Sequence, residues 1–149
     1  LNCSAMALGA ARGALDCALA YAKERVQFGK PIIQHQGLAF LLARCTAALA
    51  AAHAQWEKAI AMLEGGKSPL ASTHAAISKM IATDAAMMIT TEAIQVLGAN
   101  GLSKAYPVER LMRDCKAFQI FDGTNQIQQM LIGRYLEKHG LPFSDAGAH

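Results

Sequence analysis

The sequence predicts an all-α protein: an up-down four-helix bundle with a short extra helix. Three observations carry this. Of 149 residues, 53% are apolar, about thirty are alanine and four are proline, and alanine loses no side-chain entropy on coiling. Apolar residues recur every three or four positions through long stretches, the spacing of one helical face. Glycine and proline fall at a few points only, so the segments between them are long and must lie side by side to bury their stripes. The same composition excludes an all-β sandwich, a collagen-like chain and a disordered tail. The length suits one domain with a real core.

The first helix is expected from about Ala5 to Arg25, with Leu8, Leu15, Leu19 and Ala22 on its stripe and Arg12 interrupting it. Residues 26–31 (VQFGKP) carry Gly29 and Pro31 and read as a loop. From about Gln36 to Glu64, Leu38, Leu42, Cys45, Leu49, Ala52, Trp56, Ile60 and Leu63 mark a second helix, which Gly65-Gly66 ends. Ser68-Pro69 reads as a cap followed by a first-turn proline. The third helix then runs to about Leu97, with Ile77, Ile81, Met88, Ile94 and Leu97 on its apolar side. Gly98-Ala99-Asn100-Gly101 breaks it, and Pro107 to about Lys116 is a short helix. The last helix is placed at Asn125–His139, with Ile127, Met130, Leu131 and Tyr135 sharing a face and Asn125 with Gln128 forming a capping box. The bundle domain is thus expected over 1–139 and a loose tail over 140–149.

The net charge of +3 is mild and scattered along the chain, so it argues against a nucleic-acid partner. No membrane span is expected, because the most apolar stretch, Gly37–Ala54, carries Arg44 and His53 and is mostly alanine. No cationic leader opens the chain, which starts Leu1-Asn2-Cys3 and reads as a fragment. The cysteines at 3, 17, 45 and 115 form no C-x-x-C pair and read as reduced and buried, in a cytoplasm-like compartment. Glu-x-x-His pairs and i, i+4 histidine pairs are missing from the sequence, so no metal site is expected. It also lacks phosphate-loop, dinucleotide and nucleophile-elbow motifs.

Two clusters stand out. Phe121-Asp122-Gly123-Thr124-Asn125-Gln126 puts a carboxylate just ahead of a helix N-terminus. That acid either complements the helix dipole or serves as a general base, with neighbouring amides and hydroxyls holding an anion. Arg25-Val26-Gln27-Phe28-Gly29 gathers a cation, an amide and an aromatic between long helices. By itself it reads as a solvated turn.

Four stretches in register point further: Tyr21–Ile32 with His35-Gln36, Ala93–Gly101, Tyr106–Asp114 and Gln119–Gln128. Across nearly the whole chain they resemble the C-terminal helical domain of the acyl-CoA dehydrogenase family. The resemblance implies that an N-terminal helical domain and a middle β domain are absent from this chain. It further implies an FAD-dependent α,β-dehydrogenation of an acyl-CoA thioester, with electrons passed to an electron-transferring flavoprotein. Such enzymes are usually homotetramers, in the bacterial cytoplasm or the mitochondrial matrix, and the isolated bundle should be inactive.

By resemblance Asp122 is the catalytic base, standing where the family usually has glutamate. An aspartate is shorter by one carbon–carbon bond, about 1.5 Å. Arg25, Gln27 and Phe28 are assigned to the FAD of a neighbouring subunit, as are Gln95, Gly98 and Ala99. Thr124 and Gln126 are assigned to the subunit's own FAD, and Phe121 and Gly123 to the substrate. Ala99 stands where many members have glycine, and Gln129 where many have arginine. Arg113-Asp114 is expected to be a structural pair. Two rivals are a flavin oxidase of the same superfamily, nitroalkane-oxidase-like with its aspartate base, and a non-catalytic oligomerisation bundle.

Overall fold

The computed structural model describes residues 1–143. Five helices make up almost all of it: α1 (Asn2–Glu24), α2 (Gln36–Glu64), α3 (Pro69–Leu97), α4 (Val108–Phe118) and α5 (Asn125–His139). Three long helices and α5 form the bundle, and α4 is the short extra helix. The segment between α1 and α2 is more regular than a loop. Strands β1 (Val26–Gln27) and β2 (Lys30–Pro31) pair antiparallel. Their two-residue turn has positive φ at both Phe28 (52°) and Gly29 (79°), the handedness that matches the twist of paired strands.

Helix α3 is the axis of the fold, for α1, α2, α4 and α5 all pack against it. Its burial therefore runs around the helix rather than along one stripe, and takes in Thr73, His74, Ser78, Lys79, Thr83 and Thr90 as well as apolar residues. Ile81, expected inside, is exposed. Ser68 caps α3 as expected, its Oγ accepting from Ala71 N–H at 3.0 Å.

Alanines rather than leucines fill the helix interfaces. On α1, Ala7, Ala11, Ala14, Ala18 and Ala22 are fully buried, whereas Leu15 and Leu19 pack at the margin. On α2 only Leu42, Cys45, Ala52 and Ala59 are buried. Small residues at the contact line bring backbones close, which displaces the larger side chains to the flanks. Such alanine surfaces also raise hydropathy: α2 (1.4) and the span 69–102 (1.2) are each long and apolar enough to cross a bilayer. The sequence-based argument from low hydropathy thus fails, although α3 owes its apolarity to its central place.

The four cysteines are free, and all but Cys17 are buried. Arg113 pairs with Glu109 (Nε–Oε2 3.0 Å), one turn earlier on α4, rather than with Asp114. The tail is anchored at its start. Pro142 C=O accepts from His74 Nε2 at 3.3 Å, and the Phe143 ring stands edge-on to His74. The rest of the expected loose tail, 144–149, lies outside the described residues.

Candidate functional site

The turn between α4 and α5 is built by backbone geometry first. Asp122 and Gly123 both take positive φ, 58° and 86°; aspartate is among the few side chains that visit this region readily. A Cβ on Gly123 would stand 2.8 Å from Gln128 Nε2, the far end of a flexible side chain that can give way, so it is the positive φ that calls for glycine. Gln128 uses that nitrogen to donate to Gly123 C=O at 3.1 Å. Thr124 is the helix cap, its Oγ1 accepting from Ile127 N–H at 3.3 Å.

The expected capping box of Asn125 with Gln128 does not form: the cap falls one residue earlier, on Thr124, and Ile127 three residues on has no polar side chain to return the bond. Asn125 is the first helical residue and turns inward instead. Its Nδ2 donates to Asp84 Oδ1 (2.7 Å) and Thr83 Oγ1 (3.0 Å), and its Oδ1 accepts from Lys79 Nζ (2.9 Å). Gln119 completes the clamp: its Nε2 donates to Asp84 Oδ1 at 2.6 Å, and its carbonyl accepts from Asn125 N–H at 3.0 Å. Lys79, Thr83, Asp84, Gln119, Asn125 and Gln128 were all missed as functional candidates. A lysine among alanines on a core helix is the one signal the sequence offered.

On this clamp Asp122 itself is exposed, as are Phe121 and Gln126. Phe121 rests edge-on against Phe118, ring centres 5.5 Å apart. The apolar face of α5 is also not where the periodicity put it. Ile127, Met130 and Leu131 are each more than 40% exposed. The helix instead meets α3 through Asn125 and Gln128, with Ile132 and Tyr135 continuing the same face half-buried.

The second cluster lies elsewhere. Arg25, Gln27, Gln95, Gly98 and Ala99 line one open cleft of about 390 Å³ where α1 and α3 end, together with Tyr21 and Asn100. Arg25 terminates α1, and its carbonyl accepts from Ile32 N–H at 2.8 Å. Gln27 is fixed by the hairpin and by His35 Nε2, which donates to its carbonyl at 3.1 Å. Tyr21 OH accepts from Asn100 Nδ2 at 2.9 Å and so ties the floor of the cleft together. Gly98 has φ 60° with nothing within 4 Å of where a Cβ would stand.

A guanidinium, two carboxamides and a side-chain-free backbone turn are the donor set that suits an anionic or nucleotide-like group. Phe28 stands apart from the cleft. It sits on the hairpin tip, 92% exposed, with its ring edge-on to His35. The cleft and the α4–α5 turn are also apart. Asn125 docks at Thr83, and the stretch of α3 from there to Leu97 spans roughly 20 Å at about 1.5 Å per residue.

The fold is thus a helical bundle with an exposed carboxylate at one helix start and an anion-suited cleft at another place, and the described residues enclose neither. A family model described as the acyl-CoA dehydrogenase C-terminal domain matches residues 1–137. The chain belongs to the acyl-CoA dehydrogenase family. It is 44% identical over 134 residues to cyclohex-1-ene-1-carbonyl-CoA dehydrogenase of Geobacter metallireducens, covering 90% of this chain and 35% of that protein. It superposes on butyryl-CoA dehydrogenase of Megasphaera elsdenii with a TM-score of 0.87 and 44% identity, over 91% of this chain and 35% of that one. Nitroalkane oxidase bound to spermine superposes with a TM-score of 0.91 but only 28% identity, over 98% and 35% of the two chains. The chain thus spans about a third of the length of the relatives it matches.

Proposed function

We propose that the full-length protein is an FAD-dependent dehydrogenase that desaturates acyl-CoA thioesters between the α and β carbons, with Asp122 as the base. The observation that carries this reading is the α4–α5 turn. Two consecutive positive φ values and a buried polar clamp hold one carboxylate outward at a helix N-terminus. Asp122 takes the α-proton of the thioester. Because that proton is weakly acidic, the base must be dry and closely placed. On this chain alone Asp122 is exposed, so the remaining domains and the acyl chain itself supply the water exclusion. Phe121 and Gly123 border the acyl end.

FAD, when bound, supplies the acceptor for the β-hydride. Arg25, Gln27, Gln95, Gly98 and Ala99, with Phe28 at the hairpin tip, hold the FAD of a neighbouring subunit in a homotetramer. Thr124 and Gln126 at the start of α5 hold the subunit's own FAD. Electrons leave to an electron-transferring flavoprotein, in the bacterial cytoplasm or the mitochondrial matrix. The bundle by itself carries one part of each site and is inactive.

The test is anaerobic mixing of the full-length protein with a series of saturated acyl-CoA thioesters, followed by flavin bleaching. Asp122→Asn should retain FAD and lose about 100- to 10,000-fold in bleaching rate, the usual worth of a general base. Undiminished bleaching overturns Asp122 as base. A colourless full-length protein that cannot be reconstituted with FAD favours the non-catalytic bundle. The aspartate and the likeness to nitroalkane oxidase favour a second reading, a flavin oxidase. Hydrogen peroxide released from a nitroalkane in air, without an electron-transferring partner, would select it.

A further inference from the structure

We propose that Lys79 is the positioning residue of this base: its ammonium, seated in α3 beneath the α4–α5 turn, holds the loop of Asp122 in place through Asn125. The inference rests on Asp122 as base. Lys79 is only 5% exposed, and its Nζ donates to Asn125 Oδ1 at 2.9 Å. Asn125 is the hinge of the turn. Its own N–H donates to the Gln119 carbonyl and so closes the loop that carries Asp122, while its side chain binds Asp84 of α3. A shift of the ammonium is therefore passed to the loop through two short hydrogen bonds.

Burying an ammonium is costly, and replacing a buried charge by an apolar side chain of similar volume is often neutral or stabilising. Methionine is close to lysine in length and volume, so Lys79→Met removes the charge and the bond to Asn125 with little change in bulk. Burial lowers the Lys79 pKa, and the carboxylates of Asp122 on the turn and Asp84 on α3 oppose that; Cys3 of α1 also faces it, with burial pushing its thiol pKa up and so favouring the neutral form. Asp84 is already engaged by Asn125 and Gln119.

The experiment uses the full-length protein and three variants: Lys79→Met, Lys79→Arg and Asp122→Asn. Flavin bleaching is followed at limiting and at saturating concentrations of whichever saturated acyl-CoA bleaches the parent. In Lys79→Met the rate at saturation should fall about 10- to 100-fold, the effect of a displacement near 1 Å, with the half-saturating concentration unchanged, because the loop of the base moves while the surfaces that bind substrate do not. Lys79→Arg should return the rate toward the parent. An unchanged rate at saturation in Lys79→Met overturns the proposal, as does failure of arginine to restore it.

A measurement independent of catalysis is the thermal cycle of Lys79→Met, Asp122→Asn and the double variant. Their shifts in Tm should be non-additive if the two side chains interact, and strict additivity overturns the link. If Lys79→Met does not fold, Lys79→Gln is read in the same two assays. Should Asp122→Asn bleach normally, the base assignment fails, while the cycle still decides whether Lys79 and the Asp122 loop are coupled.

Discussion

Gly123 and Gly101 show how differently two glycines can be required. Gly123 needs its positive φ, and the atom an added Cβ would meet is the far end of Gln128. Gly101 would place a Cβ 2.7 Å from the Ile94 carbonyl oxygen and 2.9 Å from Ile94 Cα, both backbone. A side chain can swing aside, but the last turn of α3 cannot. Gly123→Ala is expected to cost about 1–2 kcal/mol, the penalty of an L residue in the left-handed region. Gly101→Ala should cost more, and comparison of their thermal unfolding midpoints checks the order. The helix start beside Asp122 and Gly123 was legible in the sequence to within one residue, the cap falling on Thr124 rather than Asn125, because helix-start chemistry is local. Lys79 and Asp84 were not, since the bonds that make them matter reach Asn125 across 46 and 41 positions.

At the scale of elements, the spans of α2, α3 and α5 followed from punctuation, because glycine, proline and a serine cap stop helices by local backbone chemistry. The faces followed only in part. In α1, Leu8 and Ala22 of the expected stripe are buried, but most of the contact line is alanine, with Leu15 and Leu19 beside it. In α5 polar residues dock the helix while Ile127, Met130 and Leu131 point outward. No pattern of hydrophobicity marks an interface held by amides. The contact of α3 with the tail is similar: His74, fully buried, accepts at Nδ1 from Gln55 Nε2 (3.2 Å) and donates from Nε2 to Pro142 C=O. That arrangement needs the neutral ring. Burial, reinforced by Lys58, lowers the His74 pKa, so the unfolded chain takes up the proton first as pH falls. Stability from this site is full above about pH 6.5, the ordinary histidine value, and is lost on acidification below it. His74→Gln, which preserves one donor and one acceptor, should flatten the fall in Tm between about pH 7 and pH 5. An unchanged slope would remove His74 from the account.

For the whole molecule, the composition suggests a self-sufficient bundle, yet the described residues leave large apolar side chains uncovered. Phe40, Leu102 and the outer face of α5 are apolar and exposed, and the described residues hold neither site in enclosed form. The roughly 20 Å of α3 between the Asp122 clamp and the Arg25 cleft allows the two to serve different flavins. A mixing experiment decides this. Arg25→Ala and Asp122→Asn versions of the full-length protein, each inactive when assembled alone, are co-expressed with different tags and purified as mixed oligomers. If Arg25 serves a neighbour's FAD while Asp122 serves its own chain's substrate, each mixed pair holds one site with both residues intact, beside one lacking both. Bleaching by an acyl-CoA should then reappear in the mixed oligomer. If both residues serve a single site within one chain, every site lacks one of them, and the mixture stays as inactive as its parents.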